Sequence, residues 1–546
     1  MTKFIVVIGG VISSVGKGIT TASLGKILKE HGYSTTLIKI DPYINYDAGT
    51  MRPTEHGEVW VTEDGGEIDQ DLGTYERFMN ESMPKKNNIT TGQIYKSVID
   101  KERAGEYLGR TVQFVPHILD EIKNRIKLAA QGYEIAIVEV GGTVGDYENT
   151  PYLMALKSLE REIGRGSLAS ILVTYLPVPD HLGEMKTKPT LQAIRLLGQE
   201  GILPDFIICR AKCALDDARR NKIVEVANIA PDRVISEPDI DTTVYQIPLD
   251  LERENLGEKI LDQLDLKSRK KPDWSSWQAL VDAVIKPSKK VTIAIVGKYL
   301  DSGNFSLTDS YISIQQALIH AGAQLGCAIN IIWLDAKQFE SDEGALDQLK
   351  SVDGLIIPGG FGTSGVEGKI RAIEFVRTHN IPYLGLCYGM QLAAVEFARH
   401  VCNFDNANTT EVDANTPYPI VDILPLQKQN LENHTMGGTM RLGSFEATVK
   451  PATKVSALYR GAYKISERHR HRYEMNPTYI GALEDKGLNF SGYYERTDGT
   501  KLMEFLELPN HKFFVATQAH PEFNSRFGFA NPLFYGFVSA CVDKAE

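Results

Sequence analysis

Short, continuous runs of apolar residues alternate with amphipathic stretches along the chain, and this alternation strongly limits the folds open to it. In the first half the apolar runs are FIVVIGG, STTLIKID, EIAIVEVGG, SILVTYLPV and DFIICR, each ending in glycine, proline, aspartate or a polar turn. Continuous apolar runs bounded in this way are typical of parallel strands buried on both faces. The sequence therefore predicts an α/β fold whose ligand-binding residues lie in the loops after the strands.

The alternation stops near residue 265 and starts again near residue 291, which predicts two domains. The sequence between them, DLKSRKKPDWSSWQALVDAVIKPSKK, carries two prolines and two basic clusters around one amphipathic stretch. At 546 residues the chain is too long for a single core. We predict domains over residues 1–266 and 291–546, both doubly wound with mostly parallel sheets, and a solvated linker over 267–290.

Composition limits the class of ligand. The net charge of −11 disfavours a general nucleic-acid or membrane-surface binder but permits a local basic pocket for small anions. The six cysteines show no CxxC pair, which predicts thiols kept reduced in the cytoplasm. The opening MTKFIVVIGGVISSVG has no small-residue cleavage site, and no run reaches transmembrane length. We expect a soluble cytoplasmic protein with no membrane partner and no nucleic-acid partner.

The glycine-rich stretch GGVISSVGKGIT, residues 9–20, follows the first apolar run and predicts an anion site. Backbone amides, the dipole of the following helix and the Lys17 ammonium would all attract a phosphate. The match to GxxxxGK[ST] is imperfect, because five residues separate Gly10 from Gly16 and Gly18 replaces the hydroxyl residue. A plain glycine-rich turn between strand and helix stays open as the alternative.

Two acidic residues favour the phosphate interpretation. Asp71 lies in EDGGEIDQDLGTYERF, and Glu139 ends the apolar run IAIVEV before two glycines. Both side chains could face the phosphates, and carboxylate and phosphate oxygens are the ligands that Mg²⁺ prefers. A solvated loop acid or a helix cap is the alternative for each.

The second domain carries a candidate nucleophile. In YLGLCYGMQLAAVEFA, Gly385 and Gly389 flank Cys387 between an apolar run and an amphipathic stretch, as in a strained nucleophile elbow. A buried structural cysteine, which is the alternative, would need no glycine on either side. A thiolate also needs a base and an orienting carboxylate, and FFVATQAHPEF supplies His520 and Glu522 on one face of an extended chain.

Two further motifs belong to the same domain. In IIPGGFG, the amides of Gly359 and Gly360 follow another apolar run and could stabilise an oxyanion together with the amide after the cysteine. In ERHRHRYE, arginines alternate with His469 and His471, which disfavours a metal ion at the histidines. We expect this stretch to contact an anion or to form an exposed strand. We expect Arg472 to bind a carboxylate.

These motifs together resemble the CTP synthase family, glutamine-dependent ligases that convert UTP to CTP, over essentially the whole chain. The stretches specific to that family are GGVISSVGKGI, KIDPYINYDAGTMRPTEHGEVWVTEDGGEIDQDLG, EVGGTVGDYEN and GEMKTKPT. PGGFG, GLCYGMQ, RHRHRYE and HPEF are shared with class I glutamine amidotransferases in general. The resemblance implies a P-loop-like synthetase domain joined to a glutaminase domain, with UTP phosphorylated by ATP before ammonia attacks C4.

The resemblance also implies roles for individual residues. Those for ATP are Ser14, Val15, Gly16, Lys17, Gly18, Ile19 and Asp71, and those for Mg²⁺ are Asp71 and Glu139. Those for UTP, or for CTP as feedback inhibitor, are Ser13, Asp146, Tyr147, Glu148, Lys186, Thr187, Lys188, Pro189, Thr190, Leu191 and Lys222. Those for glutamine are Gly360, Tyr388, Gly389, Met390, Gln391, Glu411 and Arg472, beside the catalytic triad Cys387, His520 and Glu522.

The resemblance further implies activation by GTP and assembly into homotetramers, with filaments of tetramers left open. The sequence departs from the family pattern at Leu191, where glutamine is general, at Ala104, where arginine is usual, and at Tyr388, where leucine is usual. Because leucine forms no hydrogen bond, we expect nucleotide affinity or CTP feedback to differ at Leu191. We expect Tyr388 to be tolerated, because the backbone N–H is kept.

Two other functions stay open on the sequence alone. One is an ATP-dependent amidoligase that acts on a carboxylate, against which GEMKTKPT and DPYINYDAGTM argue. The other is a nucleotide-gated structural protein, related to partition ATPases, whose cysteine domain is a relic. The intact set of Cys387, His520 and Glu522 argues against such decay, and measurable glutaminase turnover would eliminate it.

Overall fold

The computed structural model describes residues 2–545 except 165, 182, 298–300, 303, 304, 307, 425, 426 and 428–436. The strands in chain order are β1 (Lys3–Gly9), β2 (Thr35–Asp41), β3 (Val59–Val61), β4 (Glu67–Asp69), β5 (Asn88–Thr90), β6 (Ile135–Val140), β7 (Leu168–Tyr175), β8 (Phe206–Ala211), β9 (Val234–Pro238), β10 (Lys289–Gly297), β11 (Asp301–Ser302), β12 (Phe305–Ser306), β13 (Cys327–Asp335), β14 (Gly354–Ile357), β15 (Tyr383–Leu386), β16 (Asn408–Thr409), β17 (Pro419–Ile423), β18 (Arg441–Val449), β19 (Lys464–His471), β20 (Tyr473–Met475), β21 (Asn489–Glu495), β22 (Lys501–Glu507) and β23 (Phe514–Thr517). The α-helices are α1 (Lys17–Glu30), α2 (Pro53–His56), α3 (Asp71–Met79), α4 (Thr91–Arg103), α5 (Leu119–Ala130), α6 (Thr150–Ile163), α7 (Lys188–Gln199), α8 (Asp217–Ala227), α9 (Ile247–Arg253), α10 (Leu256–Gln263), α11 (Ser275–Ile285), α12 (Ile312–Leu325), α13 (Gln338–Ser341), α14 (Val366–Thr378), α15 (Tyr388–His400), α16 (Lys454–Leu458), α17 (Pro477–Glu484) and α18 (Pro532–Ala545).

The chain divides into two compact units. The first comprises Met1–Ala48 and Asp71–Val281, and the second comprises Gly49–Gln70 and Asp282–Glu546. Within the described residues, none of the helices combines the length and the apolar character needed to cross a membrane. Each unit is built on its own central sheet.

The first unit contains a seven-stranded sheet in the order β5-β2-β6-β1-β7-β8-β9, and its neighbouring strands all run parallel. Because successive side chains of a strand point to opposite faces, each apolar run contributes side chains to a core on either face of the sheet. Val6 and Ile8 of β1 belong to a core shared with helices α5, α6 and α7. The helix α1 packs on β1 as well and buries Ile27 and Leu28. The predicted α/β class is confirmed here.

The glycine-rich loop lies at the carboxyl edge of this sheet. β1 and β6 are paired with Ile8 opposite Val140, so the loops that follow them start side by side. The amide of Val144 donates to the carbonyl of Gly9 at 3.2 Å, which ties the two loops together. Gly16 has a φ of 84°, and a Cβ there would collide with the guanidinium of Arg210, so only glycine suits the residue before α1.

The amphipathic stretch of the predicted linker forms α11 and packs on the first unit as far as Val281. The indole N–H of Trp277 donates to the carbonyl of Tyr245 at 2.7 Å, and the two rings lie 5.8 Å apart. Residues 267–281 are therefore part of the first unit, which differs from the predicted solvated linker. The apolar face of α11 packs on the first unit. The prolines and lysines on either side of the helix had favoured a solvated linker instead.

The second unit contains a nine-stranded mixed sheet in the order β13-β10-β14-β15-β23-β22-β21-β18-β19. The strands from β13 to β23 run parallel, and the pairs from β23 to β19 are antiparallel. The helices α14 and α15 lie against one face in one core, and α12 and α18 contribute to another. The α/β class is confirmed for this unit too, with an antiparallel extension beyond its parallel half.

The segment Gly49–Gln70 lies inside the predicted first domain but packs in the second unit. Its strands β3 and β4 form an antiparallel hairpin. Trp60 is fully buried, and its ring lies 4.9 Å from the ring of Phe523 and 5.3 Å from the guanidinium of Arg468. The buried carboxylate of Glu67 accepts a hydrogen bond from Arg470 Nε at 2.9 Å. The predicted first domain, 1–266, is one continuous stretch of sequence. The segment Gly49–Gln70 within it instead contacts apolar and charged residues of the second unit.

We predict that Trp60→Ala lowers the free energy of unfolding of the second unit by about 3–5 kcal/mol, the usual cost of emptying a buried aromatic site. The exposed Tyr463 provides the matched control, and Tyr463→Ala should change stability little. Differential scanning calorimetry measures both variants. Equal transition temperatures for Trp60→Ala and the wild type would contradict the docking of this segment.

Candidate functional site

Cys387 occupies the turn between β15 and α15. Its backbone has φ 50° and ψ −98°, a conformation that few residues other than glycine adopt. The amide of Cys387 donates to the carbonyl of Thr517 at 2.7 Å and holds the turn against β23. The flanking glycines are needed for packing: a Cβ at Gly385 would lie 2.8 Å from that of Ala516, and one at Gly389 would collide with a carbonyl of β14. The turn thus places the thiol at the N-terminus of α15.

His520 and Glu522 follow β23 and lie beside the thiol. His520 Nδ1 is 2.6 Å from Glu522 Oε1, and the imidazole stacks on Phe523 at 5.2 Å. Burial alone lowers the pKa of His520, but the Glu522 carboxylate, and then the charge and hydrogen bond of Cys387, raise that pKa to about 10. The resting imidazole is therefore protonated at neutral pH. The three residues of the predicted triad are brought together.

Gln518 is a contact of the thiol that sequence analysis missed. Its side chain is fully buried, and Nε2 donates to Cys387 Sγ at 3.6 Å. Gln518 Oε1 accepts a hydrogen bond from Gln391 Nε2 at 3.2 Å. Gln391 Nε2 also lies 3.2 Å from the carbonyl of Tyr473. The signal was available, because Gln518 stands two residues before His520, directly after the apolar run that ends β23.

The loop Gly359–Gly362 follows β14 and packs on the imidazole. A Cβ at Gly359 would lie 2.7 Å from Cε1 of His520, so this close approach requires glycine. The amide of Gly362 donates to Glu411 Oε1 at 2.6 Å, and its carbonyl accepts from the hydroxyl of Tyr388 at 3.0 Å. The glycine loop, the thiol turn and the imidazole thereby form one assembly.

A cavity of about 630 Å³ adjoins the thiol. The predicted residues that line it are Gly360, Cys387, Glu411, Arg472, His520 and Glu522. The other predicted glutamine residues, Tyr388, Gly389, Met390 and Gln391, form the buried first turn of α15. Gly49, Thr50, Met51, Pro53, Glu58 and Val59 of the segment Gly49–Gln70 also line the cavity. Its volume suits a small organic ligand.

Charged groups of both signs face this cavity. Arg472 Nη1 donates to Gln427 Oε1 at 2.8 Å and to Thr439 Oγ1 at 2.9 Å, which holds the guanidinium in place. Arg470 is held by Glu67, as described above, and Glu411 supplies a carboxylate. Guanidinium groups and a carboxylate in one cavity match the α-carboxylate and α-ammonium of an amino acid.

The histidines of ERHRHRYE are buried in β19, so the expectation of an exposed strand is wrong. His469 and His471 are 1% and 2% exposed, and His469 Nδ1 lies 3.0 Å from His471 Nε2. Burial, and then the charge of Arg441, lowers the pKa of both histidines, so both are neutral. Arg441 itself lies 3.3 Å from Glu474 and 2.6 Å from Glu504. The ion pairs of Arg441 and the contact between the two histidines offset part of the cost of burying these polar side chains.

At the carboxyl edge of the first sheet, the glycine-rich loop meets the two predicted acidic residues. Residues 14–19 form the turn and the start of α1, and Lys17 Nζ donates to the carbonyl of Gly142 at 2.6 Å. Burial lowers the pKa of Lys17. A Cβ at Gly18 would lie 2.6 Å from Asp71 Oδ1, and Glu139 Oε2 lies 3.8 Å from the same point. Gly18 thus makes room for a carboxylate where GxxxxGK[ST] places a hydroxyl.

Lys39 lies between these acidic residues and was also missed in the sequence. Its buried ammonium contacts Asp71, and it lies 2.9 Å from Glu139 Oε1 and 3.8 Å from Asp41 Oδ1. Burial lowers the pKa of Lys39, but the surrounding carboxylates outweigh it and raise that pKa well above its usual value. The hydroxyl of Tyr75 donates to Glu139. The available signal was a lysine inside a strand that is buried along its whole length.

The residues predicted for UTP or CTP lie on loops and helices of the first unit. Asp146 Oδ2 accepts from the amide of Thr143 at 2.7 Å, and Thr190 Oγ1 lies 3.0 Å from Thr174 Oγ1. Leu191 packs half-buried against the core, and Lys186 lies 2.7 Å from a neighbouring glutamate. Ser13, Tyr147, Glu148, Lys188 and Lys222 are exposed, and Thr187 and Pro189 begin α7. Their nucleotide roles stay predictions.

Comparison with known proteins gives similarity over both units. A family described as CTP synthase N-terminus matches residues 3–266, and one described as glutamine amidotransferase class-I matches residues 306–540. A CTP synthase of Methanocaldococcus jannaschii is 50% identical over 547 residues, which cover 99% of this chain and 99% of that relative. A CTP synthase of Pyrococcus furiosus is 50% identical over 546 residues, 100% of this chain and 99% of that relative. Among solved structures, the glutaminase domain of Trypanosoma brucei CTPS with bound acivicin is 33% identical, covers 46% of this chain and 94% of that chain, and has a TM-score of 0.43.

We predict that Glu522→Gln lowers the pKa of His520 from about 10, because the carboxylate favours the protonated imidazole. The imidazolium should then lose its proton at a lower pH than in the wild type. Titration of ¹³Cε1-labelled histidine by NMR measures this. As a control, Glu374→Gln removes a carboxylate 3.9 Å from His400 and should leave His520 unchanged. If the titration midpoint of His520 were the same in Glu522→Gln and in the wild type, the Glu522 carboxylate would not be what raises the pKa of the imidazole.

Proposed function

Because this chain belongs to the CTP synthase family, we propose that its two units divide one reaction between them, with UTP activated in the first and glutamine hydrolysed in the second. The family consists of glutamine-hydrolysing ligases of pyrimidine biosynthesis, with UTP, ATP and L-glutamine as substrates. The observation that carries the division is the strained Cys387 turn beside the His520–Glu522 pair, all within the second unit.

In the proposed glutaminase reaction, the Cys387 thiolate attacks the side-chain amide carbon of glutamine. The protonated His520 gives its proton to the leaving nitrogen as the C–N bond breaks, so ammonia departs and a thioester remains. His520 then takes a proton from the water that hydrolyses the thioester to glutamate. Glu522 holds the imidazole in orientation throughout and stabilises its charged form.

We assign substrate binding in this site to the charged groups of the cavity. Arg472 would hold the α-carboxylate and Glu411 the α-ammonium, since both line the cavity beside the thiol. The amides of Gly360 and Tyr388 would stabilise the oxyanion that forms when the thiolate attacks. The remaining first-turn residues assigned to glutamine are Gly389, Met390 and Gln391.

In the first unit we propose that the loop Ser14–Ile19 and Lys17 hold the phosphates of ATP. The γ-phosphoryl group passes to the C4 oxygen of UTP, because that oxygen is otherwise a poor leaving group. Ammonia then attacks C4 and phosphate leaves, which gives CTP. The ammonium of Lys17 lies at the start of α1 and supports this role, since it would stabilise developing phosphoryl charge.

Asp71 and Glu139 fit a magnesium site beside this loop. Both carboxylates lie beside Gly18 and contact the Lys39 ammonium, so this pair of acidic residues already binds one positive charge. Oxygen donors next to bound phosphates are what Mg²⁺ requires, and the ion would neutralise phosphate charge when bound. We therefore assign Mg²⁺ to Asp71 and Glu139.

The remaining assignments rest on the family resemblance. We propose that Ser13, Asp146, Tyr147, Glu148, Lys186, Thr187, Lys188, Pro189, Thr190, Leu191 and Lys222 bind UTP or the inhibitor CTP. We also propose activation by GTP and assembly into homotetramers. A cytoplasmic location is supported by the six cysteines, each of which is a thiol.

We predict that Cys387→Ala lowers glutamine-dependent CTP formation by at least about 1,000-fold, because the nucleophile is removed. Ammonia-dependent CTP formation should stay near the wild-type rate, because only the nitrogen source is lost. Parallel assays with glutamine and with ammonium chloride measure both activities. The control is Cys402→Ala, which removes another thiol of the second unit. Loss of both activities in folded Cys387→Ala would refute the division between the units.

We predict that Lys17→Ala abolishes CTP formation from both nitrogen sources, because phosphorylation of UTP precedes either amination. The same two assays measure this. Lys212→Ala is the matched control, because its side chain is 70% exposed in the same unit. If Lys17→Ala still formed CTP from ammonia, the proposed role of this lysine would be wrong.

A further inference from the structure

The side chain of Tyr388 connects the first turn of α15 to the glycine loop at Gly359–Gly362. Tyr388 is 1% exposed, and its hydroxyl donates to the carbonyl of Gly362 at 3.0 Å. Its backbone N–H lies directly after the thiol, so this one residue belongs to the nucleophile turn and also contacts the loop. Leucine at this position would fill space but form no such bond.

Both backbone polar groups of Gly362 form hydrogen bonds. Its amide donates to Glu411 Oε1 at 2.6 Å, while its carbonyl accepts from the hydroxyl of Tyr388. The other end of the loop packs on the imidazole of His520 through Gly359. The position of the amides in this loop is therefore set by these few contacts.

The phenol ring is itself fixed. The ammonium of Lys369 lies 5.4 Å from the centre of the Tyr388 ring, and Lys369 is fully buried. A cation at this distance from an aromatic ring attracts it. The hydroxyl therefore points to the loop from a ring that the core holds in one place.

We propose that the hydroxyl of Tyr388 is a positioning group that joins the two halves of the oxyanion site. One half is the amide of Tyr388, and the other is the amide of Gly360 in the loop that the hydroxyl holds. The inference rests on the glutaminase site proposed above and extends it to a side chain to which that proposal gives no role. Tyr388 thus acts through its backbone N–H on the reacting carbonyl and through its hydroxyl on the second donor.

This geometry has a specific kinetic consequence. The oxyanion exists only while the thiolate is bonded to the amide carbon, so a displaced donor weakens the transition state and leaves the bound substrate almost unaffected. Loss of the hydroxyl should therefore lower kcat and leave KM for glutamine nearly unchanged. A purely structural role of the tyrosine would instead lower thermal stability and leave kcat at the wild-type value.

The test is Tyr388→Phe, which keeps the ring and removes only the hydroxyl. We expect glutaminase kcat to fall about tenfold, because one donor is displaced rather than removed, with KM for glutamine within about twofold of the wild type. Ammonia-dependent CTP formation should be unchanged. Tyr33→Phe is the matched control, because the buried Tyr33 hydroxyl also donates to a carbonyl, that of Lys267 at 2.7 Å, in the first unit.

A second measurement uses glutamate γ-semialdehyde, the aldehyde analogue of glutamine. The Cys387 thiolate adds to its carbonyl carbon, and the π electron pair of the carbonyl moves to the oxygen, which then lies where the oxyanion forms. The affinity of Tyr388→Phe for this aldehyde should fall by the same factor as kcat. The affinity for glutamate, which has no such adduct, should not change.

The outcomes separate this inference from the proposed function. If Cys387→Ala has no glutaminase activity and Tyr388→Phe keeps the wild-type kcat and aldehyde affinity, the inference is overturned and the glutaminase site stands. A rise in KM with unchanged kcat also overturns it, because the hydroxyl would then act on bound substrate. If Cys387→Ala still hydrolyses glutamine, the proposed site itself fails.

Discussion

Both units depend on parallel strands that are buried on both faces, because such strands leave polar chemistry little room except at their carboxyl ends. In the first unit, pairing of β1 with β6 brings the glycine-rich loop next to the loop after Glu139. In the second, pairing of β15 with β23 brings Cys387 next to His520. The same constraint therefore places the glycine-rich loop at the edge of one sheet and the Cys387 turn at the edge of the other.

Close packing and charge then adapt each edge to its chemistry. At the thiol, glycines at 385 and 389 permit a strained turn, and Glu522 keeps the imidazole protonated despite its burial. At the glycine-rich loop, the missing side chain of Gly18 leaves room for the carboxylate of Asp71. Each site thus depends on small residues that let a charged group approach the backbone, as well as on the charged group itself.

Much of this follows from the sequence, because the apolar runs and the motifs after them are local. FIVVIGG predicted β1 and its loop, and GLCYGMQ predicted the turn at Cys387. The rest depends on contacts between distant parts of the chain. Glu67 pairs with Arg470, and Lys39 with Glu139, across separations that no local pattern encodes. For the same reason the packing of Gly49–Gln70 in the second unit was not predicted.

The central claim is that nitrogen released at Cys387 is the nitrogen that converts UTP to CTP. Its most direct test is the mass of the CTP that the wild-type protein forms from UTP, ATP, Mg²⁺ and glutamine labelled with ¹⁵N at the side-chain amide. The account predicts CTP with ¹⁵N at the exocyclic amino group. Hydrolysis of the labelled glutamine without labelled CTP, while ammonium chloride still supports CTP formation, would contradict it.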